Sequence, residues 1–200
     1  MTETAFSRVY GSGSLEVSAQ VLRDFGLEPS TSKLMLRLGL PSRLPGDVPV
    51  VQFEVPHVVE IDGTGLLAIA REPWGEDLLL CLSASGEVLA VGDGGRQIVN
   101  GRLSSFLGFL EAYEAFQAQA KADDSGPVVY SQAEMQARLE AFERGEIPKR
   151  SAKPRFDRSR AIRTLVSEWR RLDASALTEG SRWSICLLYT SDAADDSLRV

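Results

Sequence analysis

Between Gly65 and Phe116, three short apolar runs separated by turn residues give way to an amphipathic helical pattern, and no other stretch restricts the fold as strongly. Residues 66–70 (LLAIA), 78–82 (LLLCL) and 88–91 (VLAV) have strand length without polar alternation, which suits strands covered on both faces or at the centre of a sheet. Pro73-Trp74-Gly75 and Ser85-Gly86 punctuate them. In SASGE, Gly86 can take the positive φ of a short hairpin connection while the serines bond nearby backbone. Downstream, Leu103, Phe106, Leu107, Leu110, Tyr113 and Phe116 recur at helical spacing over residues 103–120. A strand meander closing on one helix is expected, and the stripe reads as core rather than as a cofactor box.

Towards the N-terminus, Leu15, Ala19, Val21 and Leu22 predict a helix over residues 14–25, with Ser14 as its N-cap and Gly26 closing it. Ser30-Thr31-Ser32 offers caps to a short helix, KLMLRLG, stopped by Gly39 and Pro41. Pro41, Pro45 and Pro49 predict an irregular surface segment over residues 40–47. One strand is expected over 50–55, ended by Pro56, and another over 57–61, turned by Asp62-Gly63-Thr64-Gly65 into the meander. Beyond the break ADDSGP, Ser131 caps a helix from Gln132 to Arg144 with Glu134 completing a capping box, and Gly145 and Pro148 end it. The proline-punctuated IPKRSAKPRFDRSR reads as an exposed connection to a helix over residues 159–172.

A chain of 200 residues, 44% of them apolar, can bury one real core, so a single soluble domain is the default. No apolar run approaches the roughly 20 residues of a bilayer span. The start, MTETAFSRVYGSGS, lacks a basic head followed by a hydrophobic stretch, so a cytoplasmic location is expected. Cys81 and Cys186 make neither a disulfide framework nor a metal spacing, and Cys81 reads as a small buried hydrophobe. The formal charge of −6 hides an asymmetry: residues 149–171 hold nine Lys or Arg against two acids, which leaves an acidic body over residues 1–148. Such a body favours encounter with a basic partner and disfavours nucleic acid as its ligand.

Chemistry-bearing groups are sparse. His57 has no Ser or Cys nucleophile and orienting acid near it in sequence, and reads as structural. VGDGGR lacks the spacing of a phosphate loop and reads as a hairpin end. Glu72, Glu76 and Asp77 around Trp74 have no His partner or recognisable ligand pattern; they read either as a solvated turn or as an interface with an aromatic anchor and an acidic rim, to which Asp93 adds. Lys149, Arg150, Lys153, Arg155, Arg158, Arg160 and Arg163 could bind phosphates, but without a base-reading motif they read as a connection and helix face pairing with the acidic body. No catalytic residue, cofactor or metal is expected.

GLPSRLPGDV (39–48), then EIDGTGLLAIAREPWGEDLLLCLSASGEVLAV (60–91) and IVNGRLSSFLGFLEAYEAF (98–116), resemble the SUKH superfamily of bacterial immunity proteins, above all its fourth subfamily. LVSEWRRLDASALTEGSRWS (165–184) is similar to the family's C-terminal region, with Asp173, Ala176, Leu177 and Trp183 introducing a last helix. The resemblance spans residues 15–185 and implies an α+β fold, a mixed or antiparallel sheet flanked by N-terminal and C-terminal helices. It also implies a non-enzymatic, cytoplasmic role: binding and neutralising a cognate toxin of a polymorphic toxin system, often a nuclease or deaminase. A regulatory scaffold with the same fold, or nucleic-acid binding through residues 149–171, are the alternatives. From Cys186, CLLYTSDAADD is similar to the in-frame translation of a transposase sequencing adapter. The expected organisation is a tail over 1–13, a domain over 14–185 (core 14–121, helical extension 131–185 cut short) and a non-native, poorly packed tail over 186–200. Trp183 and the stripe Ile162, Leu165, Trp169 and Leu172 would then lose part of their packing partner.

Overall fold

A computed structural model describes residues 13–44, 50–73, 78–123, 131–145 and 156–192. Strand β1, Ser14–Leu15, lies antiparallel to β2, Leu40–Pro41, and between them run α1, Ala19–Phe25, and α2, Pro29–Leu38. Ser14 is thus a strand residue, and the cap expected of it falls to Ser18, whose hydroxyl accepts from the Val21 N–H at 3.5 Å. At α2 the cap is Glu28 rather than the Ser30-Thr31-Ser32 run. Its carboxylate accepts from the N–H of Ser30 at 2.9 Å and of Thr31 at 2.7 Å, answering donors that a helix start leaves open. The hydroxyls of both residues donate to it as well, and chiefly through them the Glu28 carboxyl is drawn down to about 2. The surface segment expected over 40–47 is instead buried at Leu40, Pro41 and Leu44, where β2 pairs with β1; residues 45–47 lie outside the described residues.

Five further strands form an all-antiparallel meander in chain order: β3 Gln52–Ile61, β4 Thr64–Arg71, β5 Leu79–Leu82, β6 Val88–Gly92 and β7 Gly95–Asn100. The three apolar runs are β4, β5 and β6, the inner strands. The two strands expected on either side of Pro56 are one: β3 is an edge strand, and its register shifts between Phe53 and His57, a bulge in which a residue without an N–H costs no ladder bond. Asp62 (φ 50°) and Gly63 (φ 68°) form the two-residue turn into β4, where both positions need the left-handed region. Strand β7 has no apolar run to announce it, because residues 95–98 are exposed and only Val99 and Asn100 are buried.

Side chains on the inner face, among them Leu67, Ile69, Leu80, Leu82, Val88 and Val99, join the main core. Those on the outer face, Leu66, Ala68, Cys81 and Val91, make a second, smaller cluster. Burial on both sides explains why the inner strands read as continuous apolar runs. Helix α3, Leu103–Asp123, belongs to the main core through more than the predicted stripe: Phe109 and Ala112 are buried besides Leu103, Phe106, Leu107, Leu110 and Phe116. Its other side meets a helix from the C-terminal region, so the amphipathic contrast is lost.

Helix α4, Gln132–Glu143, has the predicted capping box and no buried residue. Helix α5, Arg158–Asp173, starts at the Asp157 cap and packs along α3: Phe109 and Trp169 stack at 4.9 Å, and the Trp169 indole donates to the Phe109 carbonyl at 3.1 Å. A 3-10 turn, Ala174–Leu177, leads to α6, Arg182–Asp192. The loss of packing expected at this end is not found: Trp169 and Trp183 are fully buried 5.0 Å apart, Leu165 is buried, and Cys186 and Leu187 pack against the core. Residues 193–200 of the expected tail lie outside the described residues.

Candidate interaction surface

Sheet register brings the two acidic turns to one end. Arg71 pairs with Leu79, Leu79 with Val91, and Val91 with Arg96, so the β4–β5 connection carrying Glu72 and the β6–β7 turn carrying Asp93 leave the sheet on the same side. Asp93 is exposed. Trp74, Glu76 and Asp77 lie outside the described residues. Glu72 has a partner of its own: its carboxylate forms an ion pair with Arg182, the first residue of α6, and both side chains are mostly buried, at 21% and 16% exposed. Its N–H donates to the Leu78 carbonyl at 3.0 Å, closing the connection. Glu72 therefore ties the sheet end to the C-terminal helix.

Charges on the outer face escaped the sequence reading. Arg71 Nε donates to Glu54 Oε2 at 3.0 Å, and His57 Nδ1 lies 3.9 Å from Glu54 Oε1, a buried oxygen without a hydrogen-bond partner. From the opposite edge strand, Arg96 donates to the Ile61 carbonyl and pairs with Asp62 at 3.6 Å. A side chain of β7 reaching the β3–β4 turn means the sheet coils until its two edges approach across the outer face, as bulged and strongly twisted sheets do. Beneath lies Cys81, fully buried. Burial, and after it the Glu54 charge, push its thiol up to about 11 against the pull of Arg96, so it is no nucleophile at neutral pH. An alternation count from Phe53 through His57 would have gone out of phase at the bulge, which hid this group.

Elsewhere, a cavity of about 370 Å³ opens between α3 and α5, floored by Ala112, Ala115, Phe116 and Phe156 with Arg160 and Glu168 at its lining. On α5, Arg160, Arg163, Arg170 and Arg171 are exposed, whereas Lys149, Arg150, Lys153 and Arg155 lie outside the described residues. VGDGGR makes the turn between β6 and β7, as expected. Among the described residues no three His, Cys, Asp or Glu side chains group as metal ligands, and no helix is long and apolar enough to cross a membrane.

These features arrange a surface without deciding a role. That comes from the chain as a whole, because the model of the SUKH-4 immunity protein family matches residues 1–189. The chain belongs to the SUKH-4 immunity protein family. The match takes in the meander, α3 and α6 as far as Tyr189, so the sheet-end turns and the Glu72–Arg182 tie fall within the matched residues. Among curated proteins and among solved structures, nothing matches this SUKH-4 protein. As an immunity protein it acts on a protein partner.

Proposed function

We propose that this SUKH-4 immunity protein binds the toxin domain of a polymorphic toxin system, a nuclease or a deaminase, in the cytoplasm of the cell that makes it, and silences it by covering its substrate cleft. The observation that carries this reading is the family match over residues 1–189. Charge supports it. The acidic body over residues 1–148 complements the basic cleft with which an enzyme acting on nucleic acid holds phosphates. The sheet end, with Asp93 exposed and Trp74, Glu76 and Asp77 in the neighbouring connection, is the proposed acidic rim, and Glu72 supports it through Arg182.

Neutralisation of this kind needs no reacting group. It needs a preformed body whose field speeds encounter and whose bulk excludes substrate, so association is fast at low salt and slows as salt screens the field, over a Debye length of about 10 Å at 0.1 M. The test is co-expression of the neighbouring gene with and without this one. Host survival only when both are present is the expected result; death in both cases would sink the reading.

A further inference from the structure

Helix α4 raises a question that the sheet end does not answer. It is 12 residues long with no buried residue, and an isolated helix of that length is marginal in water. Local devices hold it: the Ser131 hydroxyl accepts from the Glu134 N–H at 3.3 Å, the Glu134 carboxylate accepts from the Ser131 N–H at 2.8 Å, and Arg144 pairs with Glu140 at 4.0 Å. Yet Met135, Leu139 and Phe142 stand 55%, 59% and 70% exposed. Their i, i+4, i+7 spacing puts them on one stripe, the pattern of a helix that lays its apolar face into a groove.

We infer that Met135, Leu139 and Phe142 are the anchor by which this protein grips its toxin, and that the toxin presents an apolar groove within a basic surface. The inference rests on the function proposed above and adds an apolar anchor to the acidic rim. A second copy of the chain fits less well. Two such stripes face to face would cover roughly 300 Å² on each helix, against about 800 Å² per partner in a stable assembly. Both copies would also carry the same net charge of −6. A basic toxin meets both demands, because the net negative charge of the chain attracts it rather than repelling it, and its contacts need not be confined to the stripe. Charge on α4 itself is nearly balanced, Glu134, Glu140 and Glu143 against Arg138 and Arg144, so the helix supplies apolar contact and the body supplies the field.

The test uses the full chain and the product of the neighbouring gene that the co-expression above shows to be toxic. Leu139→Asp with Phe142→Asp should weaken binding more than 100-fold and abolish protection of the host, with unchanged thermal unfolding since neither side chain is buried. Ala133→Asp with Ala137→Asp, which adds the same two charges away from the stripe at exposed positions, should leave binding and protection intact. Wild-type protection with the stripe variant binding within threefold of it would overturn the inference alone. Wild-type chain that neither binds nor protects would overturn the functional reading and this inference with it. Sedimentation showing a dimer that the stripe variant dissolves would overturn the choice of toxin in favour of a second copy.

Discussion

The indole Nε1 of Trp183 donates to the side-chain oxygen of Asn100 at 2.9 Å, and both residues are completely buried. The same Asn100 amide donates to Asp173 at 3.3 Å, and the Gly101 N–H reaches that carboxylate at 2.8 Å. Burial disfavours the charged form of Asp173, but the donors from Ser175, Gly101 and Asn100 outweigh it and hold its carboxyl below the usual range. The end of β7 is thereby wired to both C-terminal helices. Asn100→Leu strands the indole N–H and strips a donor from Asp173, so a loss of about 3 kcal/mol is expected in urea unfolding. Trp183→Phe in that background should cost less than in wild type, and a double-mutant cycle with no coupling would contradict the network.

Gly86 sits at φ 86°, and a Cβ there would lie 2.7 Å from Thr31 Oγ1 and 3.1 Å from Glu28 Cγ. The Glu28 N–H meanwhile donates to the Ala84 carbonyl at 2.9 Å, so the SASGE turn and the start of α2 are locked together. Gly86→Ala should destabilise by about 2 kcal/mol, from backbone strain and displaced packing together. A melting temperature within a degree of wild type would contradict this.

Glu114 lies on α3, where burial pushes its carboxyl up to about 7 against the opposing charge of Lys121. Between its ordinary value near 4.5 and about 7, the folded chain holds a proton that the unfolded chain releases, so this group's contribution to stability falls as pH rises through that window and is level above it. Glu114→Gln should therefore leave stability at pH 4 nearly unchanged and raise it at pH 8 by about 1 kcal/mol, after allowance for solvent at a half-exposed group. Denaturant midpoints measured across pH 4 to 8 check it; parallel curves for the two proteins would refute the assignment.

Glu72 is expected to behave as a structural pin rather than as a toxin contact. Glu72→Gln weakens the pairing with Arg182 at a mostly buried site and should cost about 1–2 kcal/mol. Asp93→Asn, on an exposed turn, should leave stability alone and slow association with the toxin at low salt. Stopped-flow rates beside unfolding curves separate the two roles, and the opposite assignment of effects would reverse them.

What the amino-acid order determined by itself is whatever neighbours along the chain can encode. The strands β4 to β6 were legible because their apolar runs have strand length, the turn at Asp62-Gly63 because those residues accept positive φ, and the cap at Ser131 because its partner Glu134 stands three positions on. The acidic connection could be found in the same way, as charge beside Trp74. Everything that gives that connection a meaning required the folded chain. Arg182 is remote in sequence from Glu72, Asn100 and Trp183 are 83 positions apart, and the coil that carries Arg96 to the tip of the β3–β4 hairpin depends on bulges that no periodicity count reveals. Tertiary structure decided that Pro56 lies in a bulge of one strand rather than ending it, that β7 is a strand, and that Met135, Leu139 and Phe142 face water. Local propensity sees only a few residues at a time, whereas burial and pairing are settled by whichever distant segment arrives on the other side.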